Sequence, residues 1–194
     1  MGIRIVTPPD VQPIEILGLA ALKDHLNEAP NVSDKDELIT TYCSVAWDYC
    51  QRFLWRQLLT AELRLTLPNW GRDCGIPLPR GPIISVESVE YFDADDQLQT
   101  VPESDWSVDV ADEVPEVRLY ELFSLADRPD AVRINFTAGY GEAAADFPPV
   151  LLHAVRLLVG QYYQTREPDS VNTTTVDRLL DSIALRDERL AEYC

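Results

Sequence analysis

Apolar residues between positions 33 and 57 recur at helical spacing in two neighbouring rows. The first row consists of Leu38, Tyr42, Val45, Tyr49 and Phe53, and the second consists of Ile39, Cys43, Ala46, Cys50 and Leu54. One partner helix covers a single apolar stripe, so two rows make a face wider than one neighbour buries. The pattern predicts a helix over 33–57 that lies in a crowded core or at a subunit interface.

Polar residues and prolines mark the ends of this helix and of two others, and a fourth segment has helical spacing alone. Ser33 is the predicted N-cap, and Asp36 and Glu37 follow in the first turn, where carboxylates interact favourably with the helix dipole. The other segments with helical spacing are 14–28, which Pro13 and Pro30 flank, 148–166, which Asp146 precedes as a candidate cap, and 176–190. The predicted helices therefore lie towards both ends of the chain.

The hydrophobic period changes to two in the middle of the chain. Apolar residues from Leu59 to Leu67 alternate with polar ones, which is typical of a half-buried strand. Shorter strands are predicted over 86–92, 97–101, 106–110, 116–120 and 131–137. We therefore expect a β-rich insertion at 58–137.

These elements predict an α+β fold, with a helical core of two to three long helices, a β-rich insertion and a C-terminal helical tail. The predicted domains are an N-terminal helical part of the core at 1–57, the insertion at 58–137, a core helix at 138–166, and a linker with the tail at 167–194. A chain of 194 residues is long enough for such a core with one insertion.

The charge balance narrows the possible functions. The chain has 16 basic and 33 acidic residues, a net charge of −17 and a pI near 4.3. Such a protein repels a nucleic-acid backbone, which excludes a sequence-reading DNA-binding module. We expect no membrane association, because no stretch approaches the roughly 20 apolar residues of a membrane span and no signal peptide is recognisable. The pattern favours synthesis in the cytoplasm, with reduced and mostly buried cysteines.

The residues predict no catalytic, metal or cofactor site. His25 and His153 lack partners at the spacing of metal ligands. Cys43 and Cys50 are two helical turns apart, roughly 10 Å, which is too far to chelate one ion. No serine or cysteine stands in a nucleophile motif. Within the enzyme class, a small acidic hydrolase is the alternative.

Acidic residues concentrate between positions 93 and 130. This stretch holds twelve Asp and Glu residues against two arginines, and it opens with Asp93, Asp95 and Asp96. One interpretation is a solvated surface. The other is a surface past which a second polyanion slides without binding, since like charges repel over about 8–10 Å at physiological salt.

The C-terminal segment is amphipathic and follows a polar linker. Its apolar face consists of Val176, Leu179, Leu180 and Ile183. Such a helix either folds back onto its own core or docks in a groove of a partner.

The order of several sequence blocks is similar to that of a known family. The first block is Leu78-Pro79-Arg80-Gly81-Pro82-Ile83 followed by Ser85-Val86-Glu87-Ser88-Val89-Glu90-Tyr91. The second is Val132-Arg133-Ile134-Asn135-Phe136-Thr137-Ala138-Gly139-Tyr140-Gly141, which precedes Pro148-Pro149 and a helix that ends Tyr162-Tyr163-Gln164-Thr165-Arg166-Glu167. Over residues 14–166 the chain resembles the head–tail connector (adaptor) proteins of tailed bacteriophages and gene transfer agents.

The resemblance implies a structural role without catalysis or a cofactor, in the virion neck between capsid and tail. Such adaptors form a ring, usually of twelve copies, beneath the portal protein. The ring lengthens a channel through which DNA passes without specific binding. A stopper, head-completion or tail-terminator protein attaches below it. In the family, the C-terminal segment commonly inserts into the portal, so the tail is expected to be a docking tail.

Pattern and resemblance together assign candidate contacts. The expected subunit contacts are Tyr42, Tyr49, Phe53 and Leu158. The expected portal-binding residues are Val176, Leu179, Leu180 and Ile183. The expected acidic or channel surface is Asp93, Asp95 and Asp96. The alternatives are a neck or tail-completion protein further from the portal, and an acidic DNA-mimicking inhibitor, which would act as a monomer.

Overall fold

The computed structural model describes residues 2–70, 74–112, 114–165 and 173–184. These residues divide into two compact units. The β-rich unit comprises residues 2–9 and 56–139, and the helical unit comprises residues 10–55 and 140–184. The α+β class expected from the sequence is therefore confirmed.

The β-rich unit consists of two antiparallel sheets. The first sheet has the order β1-β2-β8-β4-β5 and the second has the order β3-β7-β6. The strands are β1 (Gly2–Thr7), β2 (Ala61–Leu67), β3 (Gly75–Pro77), β4 (Ile83–Phe92), β5 (Leu98–Thr100), β6 (Trp106–Ser107), β7 (Glu116–Leu119) and β8 (Val132–Ala138). Apart from β1 and β3, these strands lie in segments where the sequence period predicts strand.

The two-residue period of β2 and β8 builds the core between the sheets. Leu63 lies opposite Phe136 and Leu65 lies opposite Ile134 in the antiparallel register. All four side chains are buried, and residues of β3 and β7 in the second sheet belong to the same apolar cluster. The polar alternate positions lie on the other face of the first sheet, as the pleat requires.

The helical unit is built around α3. Its helices are α1 (Pro13–Leu17), α2 (Leu19–His25), α3 (Asp36–Leu54), α4 (Pro149–Gln164) and α5 (Thr174–Asp181). α1, α2, α4 and α5 all pack against α3, and α5 also packs against α4. The second apolar row of α3, from Ile39 to Leu54, is buried in these contacts.

Three local predictions are wrong. The segment 14–28 forms two helices rather than one, because Gly18 between them adopts a φ of 75°. α3 begins after Lys35 rather than at Ser33. Residues 2–7, predicted within the helical part, form β1 instead, since their backbone pairs with β2, a contact that local spacing does not reveal.

The predicted cap of α4 is also wrong. α4 begins at Pro149, and the Asp146 carboxylate accepts hydrogen bonds from the backbone N–H groups of Glu142 (3.1 Å) and Ala143 (2.9 Å). Pro149 occupies the first turn, where a missing N–H costs no intrahelical bond. Asp146 therefore closes the turn that precedes the helix.

We expect Gly139→Ala to lower the free energy of unfolding by about 2–4 kcal/mol. Gly139 has a φ of 140°, and an added Cβ would lie 2.6 Å from the Thr60 backbone. Thermal and urea denaturation measure the change. The matched control is Gly160→Ala in the middle of α4, whose Cβ would approach only the His25 side chain, at 3.4 Å. There alanine should preserve or raise stability, by up to about 1 kcal/mol. Equal losses of stability in the two variants would contradict the close approach of Gly139 to the Thr60 backbone.

Candidate subunit interface and acidic surface

The first apolar row of α3 stays largely uncovered in the single chain. Leu38, Val45 and Phe53 are 44%, 48% and 37% exposed, whereas Tyr42 and Tyr49 are half-buried. The sequence predicts an unusually wide apolar face on α3. The chain itself covers only the second row of this face, from Ile39 to Leu54. Val45 was not among the expected subunit contacts, although the sequence places it in the same row as Tyr42, Tyr49 and Phe53.

An open groove runs beside this row. Its volume is about 500 Å³, and it is lined by Val45, Asp48, Tyr49, Arg52, Phe53 and Tyr162. The Tyr49 and Phe53 rings stack with centroids 6.3 Å apart. Asp48 and Arg52 form an ion pair of 2.8 Å one helical turn apart. The groove therefore has apolar and aromatic side chains together with one ion pair in its lining.

Tyr49 joins α3 to α5 at one side of the groove. Its hydroxyl donates to Asp177 Oδ1 at 2.5 Å, and Thr173 Oγ1 donates to Asp177 Oδ2 at 3.0 Å. Burial raises the pKa of the Tyr49 hydroxyl, and the hydrogen bond to Asp177 raises it further. The hydroxyl therefore stays protonated at neutral pH and keeps its donor role. Asp177 could not be assigned from the sequence, because 128 residues separate it from Tyr49.

The four predicted subunit contacts separate into two groups. Tyr42 lies against Tyr162 of α4, with ring centroids 6.0 Å apart, and together with Tyr49 and Phe53 it belongs to the uncovered row. Leu158 is fully buried inside the helical unit. The assignment of Leu158 as a subunit contact is therefore wrong: its helical spacing reflects the core of its own chain.

The C-terminal helix α5 folds back onto its own chain. Val176 and Leu180 are fully buried, and α5 packs against α3 and α4. Of the two interpretations left open by the sequence, this structure shows the first. Val176 and Leu180 are not accessible to a partner in this conformation, whereas Leu179 and Ile183 are half-buried.

The acidic residues predicted as a channel surface lie in the turn between β4 and β5. Asp93 Oδ1 accepts the N–H groups of Asp95 (3.0 Å) and Gln97 (2.9 Å), and Oδ2 accepts the Gln99 amide at 2.7 Å. The Gln97 and Gln99 hydrogen bonds lower the pKa of Asp93. Asp95 and Asp96 are exposed, and Asp96 pairs with Arg128 at 2.7 Å. Asp93 therefore holds the turn, Asp96 is neutralised by Arg128, and the Asp95 carboxylate faces solvent.

Two arginines hold the base of this turn against β8. The Arg128 guanidinium lies 3.5 Å from the centroid of the Phe92 ring, and the Arg133 guanidinium lies 4.5 Å from it. Both also bind Asp130, Arg128 through Nε and Arg133 through Nη2, each at 2.7 Å. Because aromatic faces attract cations, the cluster fixes the hairpin in an otherwise acidic region.

We expect Asp130 to make the stability of the β-rich unit depend on pH between about 4 and 2. The two arginines, Arg128 first, lower its pKa from 3.8 to about 2. A carboxyl with a depressed folded-state pKa stabilises the fold above its unfolded pKa, and this contribution is lost as pH falls through the folded value. In Asp130→Asn, chemical denaturation across this range should show a smaller loss of stability than in wild type. Asp127→Asn, at an exposed position, is the control, and an identical pH profile for all three proteins would contradict the assignment.

Possible metal ligands and the two cysteines of α3 are the groups that bear on metal and thiol chemistry. Among them, no group of three His, Cys, Asp or Glu side chains could hold a metal ion. Burial raises the pKa values of the Cys43 and Cys50 thiols to about 12, so both stay protonated and unreactive at neutral pH. No helix of the described chain is long and apolar enough to cross a bilayer.

Solved structures with the same architecture come from gene transfer agent (GTA) particles. A chain in the neck of an empty GTA particle computed with C6 symmetry is 24% identical, with a TM-score of 0.77. A chain in the virion of a native GTA particle is 24% identical, with a TM-score of 0.75, and one in a native neck computed with C12 symmetry is 25% identical, with a TM-score of 0.73. Each match covers 96% of this chain and 97% of the other.

This chain has the fold of a GTA neck protein. The resemblance to head–tail connectors, drawn from two sequence blocks and the order of elements, is confirmed in this shared fold. The match spans both units, so it includes the β-rich unit as well as the helices. No protein-family model and no curated protein matches the chain.

Proposed function

We propose that the protein is a structural component of a virion neck, an adaptor that forms a ring beneath the portal. In this role it extends the DNA channel and provides the platform for a stopper or tail-completion protein. The observation that carries the proposal is the end-to-end fold match to neck chains of GTA particles. The C12 symmetry used for one of those necks supports twelve copies for the ring.

The uncovered row of α3 supports a lateral interface. Exposed apolar residues scattered singly are common, but Leu38, Val45 and Phe53 lie on one helix face beside a groove. In a ring, each copy contacts its neighbours through such a face. We assign Tyr42, Tyr49 and Phe53, together with Val45, to this contact.

The acidic excess supports passage of DNA without binding. Asp95 is exposed in a region of net charge −10, and carboxylates repel phosphates at short range. Asp96, which is also exposed, pairs with Arg128 and contributes less to this repulsion. A channel surface of this kind would let a duplex move past rather than hold it. The same charge is compatible with the DNA-mimicking inhibitor, which differs in acting as a monomer.

We assign portal docking to the tail, as expected from the sequence, but with fewer accessible contact residues. Leu179 and Ile183 are half-buried and remain partly accessible on α5, whereas use of Val176 and Leu180 would require α5 to leave its own core. Each apolar side chain newly buried in a portal would contribute about 1.5–3 kcal/mol.

Co-sedimentation with the cognate portal ring tests the proposal. We expect the full-length chain to bind in multiple copies per portal and to saturate at a fixed ratio. Binding of a single copy, or no binding, would contradict the adaptor role. A chain that instead stays monomeric and binds a DNA-handling enzyme would support the inhibitor.

A further inference from the structure

The first sheet of the β-rich unit ends in the edge strand β1. β1 pairs only with β2, so its outer edge has no strand partner among the described residues. Ile5 and Val6 are 48% and 47% exposed, and Gly2–Thr7 contains no proline or lysine. A free edge pairs readily with other chains, and natural proteins blunt it with proline, charged side chains or β-bulges. In β1 the blunting is limited to Arg4 and an irregular register between Ile5 and Thr7.

The β1 edge is also basic. Arg4 is exposed and lies directly opposite Arg64 of β2. Like charges in directly opposed cross-strand positions are destabilising. Arg64 Nε donates to Asn135 Oδ1 at 2.6 Å, which keeps its guanidinium on the polar face of the sheet. Arg4 is the one charged residue of Gly2–Thr7, so this edge favours an acidic partner.

The opposite edge of the same sheet has the complementary charge. β5 is the other terminal strand, and its Leu98 is 49% exposed. Glu103, three residues after the end of the strand, is acidic and exposed. One sheet therefore has an apolar basic edge and an apolar acidic edge.

The strand directions decide between two ways of joining copies. All four pairings in the order β1-β2-β8-β4-β5 are antiparallel, so β1 and β5 run in the same direction. A twofold dimer would place β1 against β1 and bring Arg4 of both copies close together. In a ring, each contact joins two different surfaces of neighbouring copies. If the ring axis runs along the strands, rotation about it preserves the strand direction. β5 of one copy then lies parallel to β1 of the next.

We infer that β1 of each copy pairs in parallel with β5 of its neighbour, so that the sheets of adjacent subunits continue into one another. The inference rests on the proposed ring, and it adds a second lateral contact to the one on α3. The occupant of the β1 edge is thus a second copy of this chain.

Cross-linking on the portal tests the pairing. Ile5→Cys and Leu98→Cys are introduced singly and together into a chain with Cys74→Ser and Cys194→Ser, since Cys43 and Cys50 are buried. After assembly on the portal ring, a short bismaleimide should link the double variant into a ladder of oligomers. Each single variant should give at least a tenfold lower yield of linked species, because neither edge meets its own copy.

The outcomes separate the pairing from the ring itself. If the chain does not bind the portal in multiple copies, the proposed ring fails and the pairing fails with it. If the ring forms but the double variant gives no ladder, the pairing alone is wrong. If Ile5→Cys alone links efficiently, the β1 edges pair with each other and the inferred arrangement is wrong.

Charge reversal provides a second readout. Arg4→Glu places a carboxylate against the acidic edge of the neighbour, and we expect about a tenfold or greater increase in the concentration needed for assembly. Adding Glu103→Lys to the same chain should restore at least part of this loss. Unchanged assembly by Arg4→Glu would contradict the role of charge at this edge.

Discussion

Val45→Glu is expected to abolish stable ring assembly on the portal while leaving the fold intact. Val45 is 48% exposed at the centre of the uncovered row on α3, beside the groove that Tyr49 and Phe53 line. Glutamate is a better helix former than valine, so the free energy of unfolding should change by less than about 0.5 kcal/mol. At an interface, the loss of a buried valine costs about 1.5–3 kcal/mol, and the burial of a carboxylate adds to this.

The loss of interface free energy should recur at every subunit contact around the ring. The amount of Val45→Glu protein that co-sediments with the portal should therefore fall by well over tenfold. Ser44→Glu is the matched control, since it adds the same charge one residue away, about 100° around the helix on its polar side. It should bind like wild type. Equal binding by Val45→Glu and Ser44→Glu, with both proteins folded by circular dichroism, would remove the α3 row from the interface.

Leu180→Ala is expected to lower the free energy of unfolding by about 2–5 kcal/mol. Leu180 is fully buried where α5 packs against α3 and α4, so truncation leaves a cavity in the core of the helical unit. Chemical denaturation of the isolated chain measures the change. The result also determines whether the tail is folded before it meets a portal.

Arg178→Ala on the same helix is the control, because Arg178 is exposed. It should change stability by no more than about 0.5 kcal/mol. If Leu180→Ala is as stable as this control, α5 does not occupy its own core in solution, and the docking-tail hypothesis gains Val176 and Leu180 as free contacts.

Local spacing predicted the elements that have a clear period. The two apolar rows of α3 predicted both the helix and its unusually wide apolar face. The alternation from Leu59 to Leu67 predicted the strand β2. These features depend on residues within a few positions of each other. The same spacing could not show which row the chain itself covers, and it placed Leu158 at an interface although it lies in the core.

The features that sequence reasoning missed depend on residues far apart in the chain. β1 exists because Gly2–Thr7 pairs with a strand about 60 residues away. The ring of Phe92 meets two guanidinium groups because β8, which carries Arg133, and the loop before it, which carries Arg128, both lie beside β4. The free edges of the first sheet likewise follow from strand order, which no local pattern contains.

Cryo-electron microscopy of the full-length chain bound to its portal tests the central proposal most directly. We expect a closed ring of copies beneath the portal, with Val45 and Phe53 of each copy in contact with the neighbouring subunit and the acidic β4–β5 turns exposed. Bound copies that do not form a ring, or a ring in which the α3 row faces solvent, would contradict it.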